Sequence, residues 1–357
     1  MGVTKRIVVL LRLAVILVLP AGSAGTAAAD DAIRGAGATF PFPVYSRWAT
    51  EYKRATGIDI QYKPVGSGAG IEQIAQGRVD FGASDAPLDP QELRRIGAVQ
   101  FPVVIGGVVP VVNIGGIGPG ELKLSGPLLA RIYLGEIRKW NAPEIAALNP
   151  QLALPSSNIT VVHRIDASGT TYLWSDYLSK VSPEWKTRLG TARLLAWPVG
   201  VGGTGNEGVT SYVQRTRVSI GYVEFAYAIE HNLTYAAVRN RDGQFVVPGK
   251  ASFEAAAKAA RWQSTADLGQ DLTDQPGAQS WPLTGASFIL VKAGPDAAHR
   301  RGEVVRFFDW AFSHGAQAAS DLDYVPLPDS AVSLVRRIWS DGAGAAVEAP
   351  GAGGHKP

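Results

Sequence analysis

The segment RIDASGTT, residues 164–171, combines a fixed positive charge with the start of a helix. The apolar run before it and the run YLWSDYL after it predict a strand, a tight turn and a helix with Ser168 as the N-cap. Arg164 offers a planar fork of donors suited to a tetrahedral oxyanion. Ser168, Gly169 and Thr170 offer hydroxyls and backbone N–H groups at the positive end of the helix dipole. Taken alone, the segment could equally be an ordinary capped helix beside a surface Arg–Asp pair.

Three glycine-rich segments earlier in the chain place similar groups between a strand and a helix. They are GAGATF (35–40), VGSGAG (65–70) and VDFGASDAPL (79–88). Thr39 can donate its hydroxyl and Phe40 its backbone N–H to a ligand. Ser67 opens a predicted helix, and Asp85 follows a predicted strand. Each segment on its own could be a turn that lets a strand meet a helix. Because GSGAG lacks the GxGxxG spacing and no Walker lysine is present, the set favours a small anion over a nucleotide.

The N-terminal residues 1–29 predict a secretory signal peptide. Lys5 and Arg6 precede a short apolar core that Arg12 interrupts, and small residues end the segment at Ala29. The alternative is a retained membrane anchor, but the apolar stretch after Arg12 is shorter than the ~20 residues that a spanning helix needs. We therefore expect a periplasmic protein whose signal peptide is removed near Ala29.

The charge of the mature chain is balanced. The sequence has 34 basic and 31 acidic residues, and cleavage would remove Lys5, Arg6 and Arg12 but no acid, leaving 31 of each. This balance indicates neither a nucleic-acid partner nor a polybasic membrane surface. The chain has no Cys, which excludes disulfides, thiolate zinc sites and a lipid-modified N-terminal Cys.

The periodicity of apolar residues predicts an α/β fold. About 328 residues would remain after cleavage, which suits two domains better than one. Strands are expected at 58–65, 79–84, 101–113 and 158–164, and helices at 252–262 and 304–312. Val44, Trp48 and Tyr52 mark one face of a further helix that Gly57 would end. The Gly/Ala/Pro-rich tail 341–357 is expected to be disordered.

Other conspicuous residues have ordinary structural interpretations. Most of the nine Trp are expected in the core or on the lobe surface rather than in a sugar platform. The segment GVGGTGNEG (200–208) is interpreted as a flexible loop at a helix start rather than as a ligand segment. The chain contains no GxSxG motif, and its five His show no HxH or HExxH spacing, which weighs against hydrolase and metal chemistry.

Nine strings occur in a fixed order and spacing along the chain. They are GAGATF, VGSGAG, VDFGASDAPL, RIDASGTT, NEGVTSYVQR, IGYVEFAYA, QDLTDQPGAQSWPLTGASFIL, FFDWAF and DLDYVPLPDS. In these strings the chain closely resembles the periplasmic phosphate-binding proteins of high-affinity phosphate ABC transporters, the PstS family. The resemblance spans essentially the whole mature chain, and other substrate-binding proteins share the fold without the strings.

The resemblance implies a set of phosphate ligands from both halves of the chain. These are Thr39, Phe40, Ser67, Asp85, Arg164, Ser168, Gly169 and Thr170. Asp166 matches a carboxylate that orients the Arg in family members, and a surface acid in a turn is the alternative. His163 stands where relatives often have another basic residue. As the neighbour of Arg164 on a strand, His163 should point to the opposite face.

The resemblance also implies a two-lobed periplasmic binding protein fold of type II, with the ligand in the cleft between two α/β lobes. Lobe one would comprise residues 30–107 and 283–340, and lobe two residues 108–282, with a crossing near Gly106–Val109. The implied function is high-affinity binding of inorganic phosphate and its delivery to the permease subunits of an ABC transporter in the inner membrane. We expect a monomer with no cofactor, no metal, no nucleic-acid partner and no enzymatic activity.

Asp85 supplies a physical criterion for the ligand. A carboxylate that faces an anion in a dehydrated site is repelled, so Asp85 must face a hydrogen. Monohydrogen and dihydrogen phosphate carry such a hydrogen, whereas sulfate at neutral pH carries none. Selectivity would then arise by rejection of sulfate. Two alternatives stay open: a binder of sulfate, molybdate or a phosphonate, and an enzyme with Ser168 or Thr39 as nucleophile.

Overall fold

The structure is a computed structural model that describes residues 1–2, 32–260 and 269–340. The predicted signal peptide, apart from its first two residues, and the predicted tail 341–357 lie outside the described residues. In the described part of the chain, none of the helices has both the length and the apolar character needed to span a bilayer.

Strands and helices alternate along most of the chain, which confirms the predicted α/β class. The strands are β1 (Ile33–Gly37), β2 (Ile60–Pro64), β3 (Phe81–Ser84), β4 (Ala98–Asn113), β5 (Lys123–Ser125), β6 (Thr160–Arg164), β7 (Val201–Gly203), β8 (Ser219–Glu224), β9 (Thr234–Tyr235), β10 (Ala237–Arg239), β11 (Phe245–Val246), β12 (Thr284–Lys292) and β13 (Val325–Pro326). The helices are α1 (Phe42–Thr56), α2 (Ser67–Ala75), α3 (Pro90–Ile96), α4 (Gly126–Tyr133), α5 (Pro143–Leu148), α6 (Gly169–Val181), α7 (Pro183–Arg188), α8 (Gly205–Arg215), α9 (Phe225–Glu230), α10 (Lys250–Ala259), α11 (Ala298–His314), α12 (Ala316–Asp321) and α13 (Asp329–Ser340).

The four predicted strands correspond to β2, β3, β4 and β6, with ends that differ by a few residues. Helix α1 buries the predicted face of Val44, Trp48 and Tyr52 and ends at Gly57, whose φ of 80° is left-handed. The predicted helix at 304–312 lies within α11, and α10 covers residues 252–259 of the helix predicted at 252–262.

Ten strands form one sheet in which β4 is shared by two groups of strands. From Ala98 to Gly107, β4 pairs with β12, which continues to the parallel strands β3, β1 and β2. From Val108 to Asn113, β4 pairs with β8, which continues to the parallel strands β6 and β7. A separate small sheet has the order β11-β10-β5. The described residues from Ala32 to Ser340 belong to one compact unit, and the exact lobe boundaries stay a prediction.

The central position of β4 explains its nearly continuous apolar sequence. Its residues 100–112 are all buried, as expected for a strand covered on both faces. Several Trp side chains fill the core around the sheet, as the sequence predicts. The fully buried ones are Trp140, Trp174, Trp185 and Trp281.

The carboxyl ends of the parallel strands bring the glycine-rich segments to one edge of the sheet. Gly37 at the end of β1 is paired with Pro64 of β2 and with Ala83 of β3. Its φ is 148°, and a Cβ atom there would lie 2.1 Å from the carbonyl oxygen of Ala83, so the approach requires glycine. Open α/β sheets bind ligands at such edges, where loops lead from strands into helices.

Candidate oxyanion-binding site

Arg164 is the last residue of β6, and 1% of its surface is exposed. Its Nε donates a hydrogen bond to Oδ1 of Asp166 at 2.8 Å, and its Nη2 donates to Oδ2 of the same carboxylate. Its Nη1 lies 3.4 Å from Oγ1 of Thr170. The paired contact with Asp166 fixes the plane of the guanidinium, and the remaining donors can face an anion.

Asp166 is charged at neutral pH. Burial alone would raise the pKa of its carboxyl, but the hydrogen bonds and positive charge of Arg164 outweigh burial and hold the pKa below its usual value. The backbone N–H of Gly205 adds a hydrogen bond to Oδ1 at 3.0 Å. Because Asp166 offsets the charge of Arg164, an anion must be held largely by hydrogen-bond donors and dipoles.

The N-terminus of α6 lies beside Arg164 and is fixed by hydrogen bonds to neighbouring residues. Ser168 is the N-cap, as predicted, and its Oγ accepts a hydrogen bond from the N–H of Thr171 at 3.1 Å. The N–H of Gly169 donates to Oγ of Ser67 at 3.0 Å. A Cβ atom on Gly169 would lie 2.5 Å from Cβ of Asp85 and 2.7 Å from its backbone nitrogen. Only glycine permits this close approach of α6 to the end of β3.

Ser67 connects the two groups of strands. Its Oγ accepts hydrogen bonds from the N–H groups of Gly169 and, at 3.4 Å, of Asp85. The N–H of Gly68 donates to the carbonyl oxygen of Ala167 at 2.9 Å. A hydroxyl that accepts two hydrogen bonds keeps its own hydrogen for a third partner. Ser67 is thereby prepared to donate to an anion.

Asp85 is the acceptor of the site, and only 1% of it is exposed. Its Oδ1 accepts a hydrogen bond from the hydroxyl of Ser287 at 2.9 Å. Its Oδ2 is buried beside Gly169 and has no hydrogen-bond partner within residues 32–260 and 269–340. Burial raises the pKa of Asp85 to about 7, although the Ser287 hydrogen bond and the charge of Arg164 act to lower it. A buried carboxyl oxygen without a partner requires either a proton of its own or a hydrogen from a guest.

Thr39 and Phe40 lie in the turn between β1 and α1, and both are buried. The carbonyl oxygen of Thr39 accepts a hydrogen bond from Tyr227 Oη at 2.8 Å, and that of Phe40 accepts one from Tyr324 Oη at 2.6 Å. Oγ1 of Thr39 accepts from the backbone N–H of Asn206 at 3.2 Å and from its Nδ2 at 2.9 Å. These bonds hold the turn in one conformation.

The structure places the residues predicted from sequence in one mostly buried region. They are Thr39, Phe40, Ser67, Asp85, Arg164, Ser168, Gly169 and Thr170, with Asp166 in support. Direct hydrogen bonds join Ser67 to Asp85 and Gly169, and join Arg164 to Asp166 and Thr170. Their assignment as ligands of an anion stays a prediction at this point.

Sequence reasoning missed two buried polar residues at the site, Asn206 and Ser287. The segment 200–208, expected to be a flexible loop, instead contains β7 and the start of α8. The helix start is confirmed by α8, but the expectation of a loop was wrong for residues 201–203, because β7 pairs with β6 and the pairing imposes an extended conformation on a glycine-rich run. For Asn206, the local sequence indicated only that a helix starts nearby. Ser287 lies within β12 and has no local signal, since its partner Asp85 is 202 residues away.

A second buried acid, Glu224, lies at the end of β8. The hydroxyl of Tyr324 is within hydrogen-bond distance of two oxygen atoms, the Phe40 carbonyl at 2.6 Å and Glu224 Oε2 at 2.8 Å. Tyrosine has a single hydroxyl hydrogen, and a carbonyl can only accept, so a protonated Glu224 completes this arrangement. Burial raises the pKa of Glu224 well above its usual value, in agreement with a neutral carboxyl.

The side chain of His163 contacts the ring of Trp197 and the backbone of Arg164. Its ring stacks on Trp197 with 4.9 Å between ring centroids, and its Nδ1 lies 3.1 Å from the carbonyl oxygen of Arg164. Burial lowers the pKa of the imidazole, despite the hydrogen bond that opposes this.

Metal binding and nucleophilic catalysis each require a particular arrangement of side chains. Within the part of the chain that the structure describes, no group of three or more His, Asp or Glu is arranged to hold a metal ion. The Oγ atoms of Ser168 and Thr39 interact with the N–H of Thr171 and with Asn206, respectively. Among the described residues, neither hydroxyl has a general base as hydrogen-bond partner.

Two groups of strands share one long strand, and polar residues from both groups meet at the strand ends, an arrangement typical of substrate-binding proteins of the two-lobed α/β class. The chain matches the PBP superfamily domain over residues 22–314. It is 51% identical over 309 residues to the phosphate-binding protein PstS of Haemophilus influenzae, which covers 87% of this chain and 92% of that protein. Its identity to the PstS protein of Pasteurella multocida is 50%, over 86% of this chain and 89% of the relative. The chain therefore belongs to the PstS family of phosphate-binding proteins within the PBP superfamily.

Solved structures with low sequence identity share the fold. A high-affinity periplasmic phosphate-binding protein (PfluDING), determined with phosphate bound, superposes with a TM-score of 0.67 at 22% identity, covering 85% of this chain and 93% of the other. A protein from Clostridium perfringens whose crystal structure contains bound phosphate gives a TM-score of 0.59 at 19% identity, covering 83% of this chain and 100% of the other. Together with the family match, these similarities confirm the predicted two-lobed binding-protein fold.

Proposed function

We propose that this chain binds inorganic phosphate with high affinity and delivers it to an ABC transporter for import. The relatives at about 50% identity bear the name phosphate-binding protein, and the similarity covers nearly the whole chain. The family consists of binding proteins, and the chain is not an enzyme. The observation that carries the choice of ligand is the buried Oδ2 of Asp85, which has no hydrogen-bond partner among the residues that the structure describes and lies close to several hydrogen-bond donors.

The donors and the single acceptor suit a protonated tetrahedral oxyanion. Arg164, the N-terminus of α6, and the hydroxyls of Thr39 and Ser67 can donate to three or four oxygen atoms of such a ligand. Asp85 can accept the hydrogen that phosphate carries at neutral pH. Sulfate would place an oxygen without hydrogen against the ionised carboxylate, and the repulsion inside a buried site would exclude it.

Calorimetric titration of the mature protein with phosphate and with sulfate at pH 8 tests this proposal. We expect saturable heat with phosphate and a much lower affinity for sulfate, because Asp85 is mostly ionised at this pH. Equal affinity for the two anions, or no binding of phosphate, would overturn it.

The cellular context forms part of the proposal. Residues 1–29 would be removed near Ala29 on export, and the mature protein would act in the periplasm as a monomer. Lobe one, residues 30–107 and 283–340, would hold Thr39, Phe40, Ser67 and Asp85, and lobe two, residues 108–282, the remaining ligands. Phosphate would thus stabilise a closed form that the permease subunits in the inner membrane can distinguish from the empty protein. A transport assay in which empty protein competed as well as loaded protein would contradict this selection.

A further inference from the structure

Asn206 joins several parts of the site. It is completely buried near the start of α8. Its Nδ2 lies 2.9 Å from Oγ1 of Thr39 and 3.4 Å from Oγ1 of Thr170, residues that come from opposite sides of the predicted cleft. Its own backbone N–H donates to Oγ1 of Thr39 as well. Asn206 therefore contacts the side chains of two predicted ligands.

The orientation of the Asn206 amide follows from its surroundings. The backbone N–H of Glu224 points at Oδ1 of Asn206, with 3.0 Å between the heavy atoms. Since a backbone N–H can only donate, the atom facing it must be the amide oxygen. The NH₂ group must then face the two threonine hydroxyls. Both of its hydrogens have an acceptor in this arrangement.

The two hydroxyls are constrained by these donors. Oγ1 of Thr39 accepts two hydrogen bonds from Asn206, which occupy both of its lone pairs. Oγ1 of Thr170 faces two donors, Nδ2 of Asn206 and Nη1 of Arg164, each at 3.4 Å. A hydroxyl in this position can turn only its hydrogen, and not a lone pair, toward another partner.

We propose that Asn206 is a positioning residue that fixes the hydroxyls of Thr39 and Thr170 as hydrogen-bond donors toward the bound anion. This inference rests on the proposed function. Without Asn206, the two hydroxyls could rotate, and part of the time they would present lone pairs to the anion. With Asn206 in place, the hydroxyls of Thr39 and Thr170 both donate to the ligand, and Asp85 is the acceptor that faces it.

The isosteric substitution Asn206→Asp should reverse the effect that Asn206 has on the threonine hydroxyls. In Asn206→Asp the carboxylate keeps an acceptor for the N–H of Glu224 but replaces the NH₂ donor by a second acceptor. The hydroxyl hydrogen of Thr39 would then turn toward this carboxylate and away from phosphate. We expect phosphate affinity at pH 8 to fall by about 100-fold or more, because donors are lost and a negative charge is added. For Asn206→Ala, which only frees the hydroxyls, we expect a loss of about tenfold.

The pH dependence of the Asn206→Asp protein separates positioning from a purely structural role. Protonation of the introduced carboxyl restores a donor, so the ratio of its phosphate Kd to that of the wild type should shrink steadily between pH 8 and pH 5. The other ionisable groups near the site, Asp85, Arg164, Asp166 and Glu224, are common to both proteins. For Asn206→Ala the same ratio should stay constant.

Asn149 provides a matched control. It is also buried, its Oδ1 accepts a backbone hydrogen bond from Lys123, and its Nδ2 donates to the carbonyl oxygens of Lys123 and Ile145. Asn149→Ala and Asn149→Asp should lower the Tm and leave the phosphate Kd within about twofold. If the Asn206 variants likewise lose only stability, or if both lose the same affinity at every pH, the inference is wrong.

A double-mutant cycle with Thr39→Val gives a second, independent test. If Asn206 acts through the Thr39 hydroxyl, the combined loss for Thr39→Val and Asn206→Ala should be clearly smaller than the product of the two single losses. A loss equal to that product would contradict the proposed coupling. If the wild-type protein fails to bind phosphate, the proposed function is overturned. If the wild-type protein binds phosphate but the combined loss of affinity equals the product of the two single losses, only the role of Asn206 is overturned.

Discussion

At the scale of single residues, the main feature of the site is the contrast between its many donors and its one acceptor. Arg164 is largely neutralised by Asp166, so the formal charge available to the ligand is small. Asp85 has one oxygen held by Ser287 and the other without a partner among the described residues. Discrimination between oxyanions is therefore expected to depend on hydrogen atoms rather than on net charge.

This contrast predicts that sulfate binding depends on pH. The site can bind sulfate only when Asp85 is protonated and its carboxyl donates a hydrogen bond to the anion. Since the pKa of Asp85 is raised to about 7 by burial, sulfate binding above pH 7 must take up a proton. Its affinity should therefore fall about tenfold for each pH unit above 7 and level off below pH 7. Competition titrations from pH 5.5 to pH 9 would measure this.

Asp85→Asn is the control for that experiment. The Asn side chain can turn its NH₂ group toward the ligand at every pH, so sulfate binding should become independent of pH and the preference for phosphate should weaken. An unchanged preference in this variant, or a wild-type sulfate affinity that is flat across the range, would show that Asp85 does not act as the discriminating acceptor.

At the scale of elements, the sequence predicted those parts of the site that are encoded locally. The N-cap Ser168, the strand end before Asp85 and the strand end at Arg164 follow from spacing rules that span a few residues. Asn206 and Ser287 could not be found in this way. Their partners Thr39 and Asp85 lie 167 and 202 residues away, and only the order of strands in the sheet brings them together.

The contact between α6 and β3 predicts the effect of Gly169→Ala. The added Cβ would overlap Cβ and the backbone nitrogen of Asp85, so the helix must move away from the strand end. Because backbone atoms cannot rotate aside, we expect phosphate affinity to fall by about 100-fold, which exceeds the effect of losing one hydrogen bond. Calorimetry and thermal unfolding would separate the loss of binding from any loss of stability.

Gly302→Ala is a suitable control because Gly302 also lies in a helix. A Cβ atom there would be 3.7 Å from Nη1 of Arg306, an ordinary contact. Higher helix propensity should stabilise this variant by about 1 kcal/mol without changing the phosphate Kd. If Gly169→Ala also left the Kd unchanged, the close approach would have no role in binding.

At the scale of the whole molecule, closure should be sensitive to contacts between the two predicted lobes that do not touch the ligand. The clearest of these is the ion pair between Arg193 and Glu92 of α3, at 2.9 Å. The carbonyl oxygen of Arg193 accepts a hydrogen bond from the backbone N–H of Ser168. The ion pair between Arg193 and Glu92 therefore connects the first turn of α6 to predicted lobe one. The side chains of Arg193 and Glu92 are 28% and 21% exposed, which limits the strength of the pair.

Removing this pair by Glu92→Gln should destabilise the closed form while leaving every predicted ligand in place. A partly exposed pair contributes about 0.5–1 kcal/mol, which corresponds to a phosphate Kd about two- to fivefold higher. The change should appear mainly in the dissociation rate, because the lobes must separate before the ligand leaves, and stopped-flow displacement would measure it. Glu51→Gln removes the pair of Glu51 with Arg47 within α1, where the two side chains are 25% and 58% exposed, and should leave the dissociation rate unchanged. Equal dissociation rates for both variants and the wild type would mean that closure does not depend on the contact between Arg193 and Glu92.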